Sequence, residues 1–170
     1  MSGTSRPEMP EPIPFCALCG SDKVVCDAWV SWDREDQCWV LHSKFEESFC
    51  EACEQTTALE WLIPDPENAA LIARQNDALR KGLNSEGAIL MTAGIANHRE
   101  GFDKAVKAFD AFTPDNDPHS EHDFGMLEVE GEKIFFKVDY YDAAREAHSP
   151  NKADPAVTER VLTIMLAIEY

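Results

Sequence analysis

Hydrophobic and polar residues alternate differently in the two halves of the chain. Residues 24–33 and 37–46, VVCDAWVSWD and QCWVLHSKFE, are rich in β-branched and aromatic residues and flank a polar turn. This pattern predicts an antiparallel hairpin with Arg34 and Glu35 as its loop. In that register Asp27 pairs with His42, Trp29 pairs with Val40, and the opposite face is almost continuously apolar. The apolar face comprises Val24, Cys26, Ala28, Val30, Trp32, Trp39, Leu41, Ser43 and Phe45, so Cys26 is expected to point inward and Cys38 outward.

The next part of the chain carries helical periodicity interrupted by one extended run. Asp65-Pro66 is a typical helix start and Gly82 a typical end, which predicts a helix from about residue 66 to 81. GAILMTAG, residues 87–94, predicts a strand buried on both faces. A second helix follows and stops at Thr113-Pro114. Its apolar face comprises Phe102, Val106, Phe109 and Phe112.

The C-terminal part predicts a hairpin and a final helix. FGMLEVE and EKIFFKVDYY flank the turn Glu130-Gly131, which would pair Glu128 with Lys133 and Leu127 with Ile134. After Asp154-Pro155, a wide apolar face favours a helix that is central to the core. That face comprises Val157, Val161, Leu162, Ile164, Met165, Leu166 and Ile168. The order helix, strand, helix, β-hairpin, helix defines an α+β domain with a small sheet.

All six cysteines lie in the N-terminal half, and their spacing indicates a metal site. Cys16 and Cys19 in CALCG, and Cys50 and Cys53 in FCEAC, form two Cys-x-x-Cys pairs on either side of the predicted hairpin. This spacing is typical of a zinc ribbon, in which two tight knuckles supply four thiolates to one structural Zn²⁺. A redox pair or four unrelated thiols are the alternatives, and Cys26 or Cys38 could replace a ligand. Four protein ligands leave no position for water, so this zinc is expected to stabilise the fold and not to catalyse.

These elements predict three parts. Residues 1–14 are a proline-rich, flexible lead, residues 15–63 a zinc-ribbon-like module, and residues 64–170 the α+β domain. The lead lacks the charged and apolar regions of a signal peptide, and no apolar run is long enough to span a bilayer. We therefore expect a cytoplasmic protein without membrane partners, whose cysteines are reduced or bind metal.

The net charge of −17, from 32 acidic and 15 basic residues, restricts the partners. Residues 1–60 alone carry twelve acidic and four basic side chains, so the ribbon is not expected to bind nucleic acid. Residues 45–73 and 113–132 carry seven acidic side chains each and no Lys or Arg. These runs are either a well-solvated surface or an acidic face for docking a protein partner. The oligomeric state is left open.

The loop PDNDPHSEHDFG, residues 114–125, concentrates potential ligands. Oxygen-bearing residues alternate as in a calcium loop, but Ser120 stands where such a loop needs glycine and Met126 where it needs a bidentate Glu. The remaining interpretations are a capped turn, a ligand or partner site, and a metal-dependent or acid/base catalytic site. If the hairpin register continues into the loop, His122 lies opposite Asp139. The candidate catalytic residues are therefore His119, Glu121, His122, Asp123 and Asp139.

Five segments resemble one uncharacterised bacterial family, domain of unknown function 3768, over about residues 70–170. They are NDALRKG, ILMTAGI, FDAFTPDNDPHSEHDFG, KIFFKVDYYD and DPAVTERVLTIMLAIEY. The HSEHD and DYY stretches match motif positions of the family that the chain resembles. At position 120, where this chain has serine, the family usually has glycine. The cysteine-containing segment is similar to a zinc-ribbon extension on related small proteins of plasmids and phages. The resemblance implies a mobile-element setting and no particular reaction.

From the sequence we hypothesise a zinc-stabilised, acidic binding protein that acts by protein contact. A narrower version is an inhibitor whose carboxylates imitate DNA phosphates, which the net charge motivates. The alternative is a metal-dependent hydrolase that uses His119, Glu121, His122 and Asp123. The sequence contains no Gly-rich phosphate loop and no nucleophile elbow that would favour another enzyme class.

Overall fold

The computed structural model describes residues 11–96 and 99–170 and gives an α+β fold, as predicted. Its N-terminal part is made of five strands in two small sheets. One sheet pairs β1 with β5, and the other has the order β2-β3-β4. These strands are β1 (Ile13–Cys16), β2 (Val24–Asp33), β3 (Cys38–Cys50), β4 (Gln55–Thr57) and β5 (Leu59–Leu62). Residues 1–10 of the predicted flexible lead lie outside the described residues, and β1 begins inside the segment assigned to that lead.

The remaining elements form a four-stranded sheet packed against helices. The strand order is β6-β9-β8-β7, with β6 parallel to β9 and the other neighbours antiparallel. The helices are α1 (Ala69–Lys81), α2 (Ala93–Ala96) and α3 (Arg99–Ala108). The strands are β6 (Ala88–Met91), β7 (Phe124–Val129), β8 (Glu132–Tyr141) and β9 (Glu159–Leu166), and a 3-10 turn covers Ala167–Glu169. None of the described helices has the length and apolar character needed to cross a membrane.

The core lies between one face of this sheet and the helices. Alternate residues of β8, namely Ile134, Phe136 and Val138, are buried, as expected for a strand with one face on the core. From the helical layer, Leu79 of α1 and Phe102 of α3 pack into the same cluster. The sheet is therefore covered on one side by helices, which is the two-layer arrangement of α+β domains.

The β7–β8 hairpin confirms the predicted register. Glu128 pairs with Lys133 and Leu127 with Ile134. The two turn residues, Glu130 and Gly131, have φ values of 54° and 84°. Positive φ at both central positions is the backbone that a tight two-residue hairpin requires.

The predicted C-terminal helix is wrong, because residues 159–166 form strand β9. The strand lies between β6 and β8, and both neighbours form hydrogen bonds to its backbone. Its sequence is a nearly continuous apolar run, and most of its apolar side chains are buried. Such a run also satisfies the helical period, which is why periodicity alone misassigns it. Asp154 does cap a turn, since its Oδ1 accepts a hydrogen bond from Ala156 N at 3.0 Å, but no helix follows.

Three other predictions about this half need correction. Helix α1 begins after Asn68, whose side chain accepts from Leu71 N, and not after Asp65, although Gly82 ends it as expected. Helix α3 ends at Ala108, so Phe109 and Phe112 pack on the core from the following loop. Strand β6 lies at the edge of the sheet. It is not buried on both faces, since the side chains of Ile89 and Leu90 are exposed.

The predicted N-terminal hairpin forms, but its turn is longer. Asp33 pairs with Cys38 and Trp32 with Trp39, so the loop is residues 34–37. This shift of two residues keeps the distal side chains on their predicted face but changes their partners, so that Val30 lies opposite Leu41 and not opposite Trp39. Nearer the base, two bulges change the register, so that Trp29 pairs with Ser43 and the predicted pairs Asp27–His42 and Trp29–Val40 do not form.

The tight contact at Gly125 gives a stability test of the core. A Cβ at this position would lie 2.2 Å from Cε1 of Phe136, a fully buried ring. We expect Gly125→Ala to lower the free energy of unfolding by about 1–3 kcal/mol, as overpacking does. Gly101→Ala is the matched control, since an added Cβ meets no described atom within 4 Å beyond its chain neighbours and its own helix backbone, and the helix gains up to about 1 kcal/mol. Denaturant midpoints that fall equally in both variants would contradict this packing.

Candidate metal centre

The four predicted cysteine ligands converge at the end of the N-terminal sheets. Cys16 is the last residue of β1 and Cys50 the last residue of β3, while Cys19 and Cys53 follow in tight turns. Their side chains are buried, with at most 8% exposure. In residues 11–96 and 99–170 these four are the one group of three or more His, Cys, Asp or Glu residues placed to hold a metal. The structure therefore brings together the ligand set that the spacing predicted.

The distances among the four sulfur atoms fit a tetrahedral ion. Cys16 Sγ lies 3.8 Å from Cys53 Sγ, and Cys19 Sγ lies 3.7 Å from Cys50 Sγ. All four sulfurs lie within 4.8 Å of one another. A tetrahedron with metal–sulfur bonds of about 2.3 Å has edges of about 3.8 Å. The cluster is thus compatible with a structural metal site in which each Cys-x-x-Cys turn contributes two ligands.

Both turns use the same backbone conformation after the second cysteine. Gly20 has a φ of 72° and Glu54, at the equivalent position of the other pair, a φ of 55°. Glycine is needed at the first site, because a Cβ there would lie 2.7 Å from Gln75 Cγ. Glu54 is exposed and adopts the left-handed conformation at an energetic cost that a metal bound in the turn would offset.

Electrostatics in the cluster favour a bound cation. Burial raises the pKa of Cys19, and burial followed by the hydrogen bond with Cys50 raises the pKa of Cys53 to about 11. Burial also acts against the Cys16 thiolate, but hydrogen bonds from Thr57 and from the backbone of Cys19 and Leu18 outweigh it and lower the Cys16 pKa to about 7. Buried thiolates without a counter-ion repel one another. A divalent cation removes this cost by stabilising all of the thiolates.

Helix α1 packs directly on the cysteine cluster. Ala78 belongs to the same buried group as the four cysteines. One turn earlier, Gln75 Nε2 donates to Gly20 O at 2.8 Å and to Ala153 O at 3.2 Å. The cysteine cluster is consequently joined to both the helix and the loop that precedes β9.

Cys26 and Cys38 do not take part in the cluster. Both side chains are exposed on the β2–β3 hairpin, and both are free thiols. The expectation that Cys26 points inward is therefore wrong, because the predicted inward face of the hairpin is itself exposed, as Val30 and Trp32 show. Neither residue replaces any of the four ligands.

The acidic loop at residues 114–123 is held by its own side chains. Asn116 Oδ1 accepts from Thr113 N at 2.7 Å, and Asn116 Nδ2 donates to Ala111 O at 2.9 Å. The buried carboxylate of Asp117 accepts from the backbone N–H groups of Glu121 and His122 at 3.0 and 3.2 Å. Such hydrogen bonds between side chains and the loop backbone are the ones expected of a capped turn.

The two histidines of the loop have different surroundings, and among the described residues neither forms an ion pair with Asp139. His119 is exposed, whereas the His122 ring stacks on Phe112 with 3.9 Å between ring centroids. His122 Nδ1 lies 3.3 Å from Asp77 Oδ1 and does not reach Asp139, which instead pairs with Lys137 at 2.9 Å. The expected His122–Asp139 pairing fails because His122 has a φ of 55° and the strand register begins only at Phe124.

The acidic members of the predicted catalytic set also have structural partners. Glu121 is buried and forms an ion pair with Lys152. Asp123 is partly buried, and burial together with the charges of Glu121 and Asp117 raises its pKa. Within the described part of the chain, these side chains do not converge on one point with a histidine.

Buried polar residues of α1, which the sequence did not predict as part of any site, bind the acidic loop and α3. Asn76, although fully buried, donates to Glu121 O at 2.8 Å and to the Tyr140 hydroxyl at 2.7 Å. Arg80 is 1% exposed and bonds Asp77 at 2.6 Å and Val106 O at 2.7 Å. One signal was present, because Asn76 occupies a core position of the helical period, where an apolar residue is expected.

Comparison with known proteins assigns a family similarity to part of the chain. Residues 90–169 match the family described as Protein of unknown function (DUF3768). The match covers α2 to the 3-10 turn and includes the acidic loop, while the cysteine cluster and α1 precede it. No curated protein and no solved structure matches the chain.

Metal analysis of cysteine variants tests the centre. We expect about one tightly bound metal per chain in the purified protein, measured by elemental mass spectrometry. Cys50→Ser removes a ligand and should abolish stoichiometric metal and lower the melting temperature. Cys26→Ser and Cys38→Ser are matched controls, because these thiols lie outside the cluster, and both should retain the metal. Equal metal loss in Cys50→Ser and Cys26→Ser would contradict the assignment.

The pKa of Asp77 predicts a pH-dependent contribution to stability. Burial acts to raise this pKa, but hydrogen bonds and charges from Arg80 and Lys81 outweigh it and lower it from 3.8. Replacing Asp77 leaves the buried Arg80 without its carboxylate, so Asp77→Asn should cost about 2–4 kcal/mol at neutral pH. Because the folded-state pKa is depressed, this contribution is present above pH 3.8 and disappears as pH falls through the folded value.

Urea titrations of the wild type and Asp77→Asn across this pH range measure the effect. Asp103→Asn is the control, because Asp103 pairs with Lys107 on the surface of α3, where such pairs contribute at most about 1 kcal/mol. A difference between wild type and Asp77→Asn that stays constant to the lowest pH would show that the carboxylate charge does not stabilise the fold.

Proposed function

We propose that this chain is a zinc-stabilised protein that binds another protein through the β2–β3 hairpin. The observation that carries the proposal is the exposure of large apolar side chains on this hairpin. Trp29 is 63% exposed, and Trp39 and Leu41 are each 66% exposed. The other exposed apolar side chains of β2 and β3 are Val25, Val30, Trp32, Phe45 and Phe49. Aromatic side chains concentrated on one element are characteristic of the centres of protein interfaces.

The hairpin is available for a partner because little of it is covered. Strand β4 pairs only with Ser48–Cys50 of β3, so residues 24–47 pair only within the hairpin among the described residues. Trp32 packs edge-on against Trp39 at 5.5 Å, and Trp29 lies 6.0 Å from Phe45. These pairs support the hairpin itself and leave their outer surfaces to solvent.

The metal has a specific role in this proposal. An isolated two-stranded hairpin is marginally stable in water. Here β3 ends at the ligand Cys50, and Val24 at the start of β2 is paired with it. A metal held by the four cysteines would therefore fix the base of the hairpin and orient its distal half. Zinc is the ion of choice for four thiolates, and a closed site of this kind supplies stability without catalysis.

Charge complementarity defines the partner as a basic protein surface. Residues 24–50 carry six acidic and two basic side chains, and the whole chain has a net charge of −17. An acidic rim around apolar residues repels nucleic acid and a second copy of the same chain. It attracts a surface that combines Lys or Arg with apolar side chains, and this attraction accelerates association.

Affinity capture with matched variants tests the proposal. The bait is the full metal-loaded chain, compared with Trp39→Ser/Leu41→Ser and with Ile168→Ser. Ile168 is 90% exposed and lies outside the hairpin, so its replacement removes a similar apolar side chain elsewhere. We expect a basic protein that binds the wild type and Ile168→Ser but loses at least about tenfold in affinity for the hairpin variant, equivalent to about 1.4 kcal/mol.

The captured protein must then bind in purified form, and its affinity must fall as salt concentration rises. Competition by duplex DNA would additionally support the narrower hypothesis that the acidic side chains imitate phosphates. A partner that binds wild type and the hairpin variant equally, with the metal retained in both, would refute the role of the hairpin.

A further inference from the structure

A cavity of about 520 Å³ lies between the cysteine-containing part and the four-stranded sheet. Its walls come from the segment after Cys19, from α1, from the loop between α1 and β6, and from the start of β9. The lining groups that matter here are Asp22, Lys23, Asn84, Glu86, Thr158 and Arg160. Its volume is that of a small-molecule site, and the proposed protein contact does not use it.

Arg160 is a buried cation without an acidic partner in this cavity wall. It is 6% exposed, and its Nη2 donates to Gln75 Oε1 and to Lys152 O. Within residues 11–96 and 99–170 no carboxylate forms an ion pair with it, and its Nε has no hydrogen-bond partner. A buried guanidinium that lacks a counter-charge is costly unless a ligand supplies one.

Asp22, in the wall of the same cavity, is an acidic side chain without a basic partner. Among the described residues its carboxylate has no cation at ion-pair distance. The neighbouring Lys23 pairs instead with Glu86, at 3.2 Å. Burial, and after it the charge of Glu86, raises the pKa of Asp22, which means that its anionic form is under-stabilised here. Asn84 Oδ1 is a further buried acceptor without a donor. Among the described residues the cavity wall thus holds a cation, Arg160, without a carboxylate partner, although it lies 5.9 Å from the Tyr140 ring centroid, and two acceptors, of Asp22 and Asn84, without a cation.

We propose that this cavity binds a small zwitterion of the free α-amino acid class. The ligand carboxylate would pair with Arg160, and its ammonium group would donate to Asp22 and Asn84. A ligand with only a carboxylate would leave Asp22 unpaired and meet the repulsion of Asp22 and Glu86. A ligand with only an amine would leave Arg160 unpaired. Only a molecule that carries both charges satisfies both ends.

Titration calorimetry on the full metal-loaded chain tests this site. The probes are the common free α-amino acids, each titrated singly, followed for each binder by the matching amine and the matching carboxylic acid. We expect at least one amino acid to bind with a stoichiometry of about one, and both analogues to bind at least about tenfold more weakly. Binding of none of the amino acids, or equal binding of an analogue, would overturn the proposal.

Two variants locate the binding. Asp22→Asn removes the partner of the ammonium group and should weaken the amino acid by about tenfold or more, without weakening the carboxylic acid. Asp36→Asn makes the same change in the exposed hairpin turn and should have no effect. Arg160 is too buried for a safe substitution, so Ala156→Trp, at an exposed position of the rim, serves to block the cavity and should abolish binding. Affinity that persists in both Asp22→Asn and Ala156→Trp would exclude this cavity.

Discussion

The rest of the structure depends on the hydrogen bonds made by three buried polar side chains of helix α1. Gln75 binds backbone oxygens next to the cysteine cluster and in the loop before β9, and Asn76 binds the acidic loop. Arg80 donates to the carbonyls of Val106 and Lys107 in the last turn of α3, where Val106 O also accepts from Phe109 N. Loop carbonyl groups that are removed from water need such donors, so one helix fixes the position of segments that are far apart in sequence.

This arrangement explains why the separate parts of the chain form one structure. The cysteine-containing strands have a small core of their own, centred on the four thiols, and Ala78 of α1 closes it. The sheet has a second core, to which Leu79 of the same helix contributes. Successive residues of α1 thus face two cores, and the polar side chains bind the loops between them. A change in α1 is therefore expected to affect the cysteine cluster and the sheet together.

The parts of the fold that could be predicted are those set by local chemistry. The spacing of the Cys-x-x-Cys pairs and the Glu130-Gly131 turn between two apolar runs are local signals, and both predict the structure that is observed. Strand β9 was not, because its apolar run satisfies helix and strand periods alike and only its two neighbouring strands decide between them. The contacts of His122 with Asp77 and Phe112 join residues distant in sequence, and no spacing rule predicts them.

The hairpin enters and leaves the fold at a single place. Val24 lies opposite Cys50, and Lys23 O accepts from Glu51 N at 2.9 Å. The distal strands can therefore gain or lose residues in pairs without moving the cysteines or the four-stranded sheet, since such changes leave each side chain on its original face. Evolution can alter the length and sequence of the hairpin while the remaining fold is inherited unchanged. Chains of this architecture can in this way change the apolar surface that the hairpin exposes at little cost in stability.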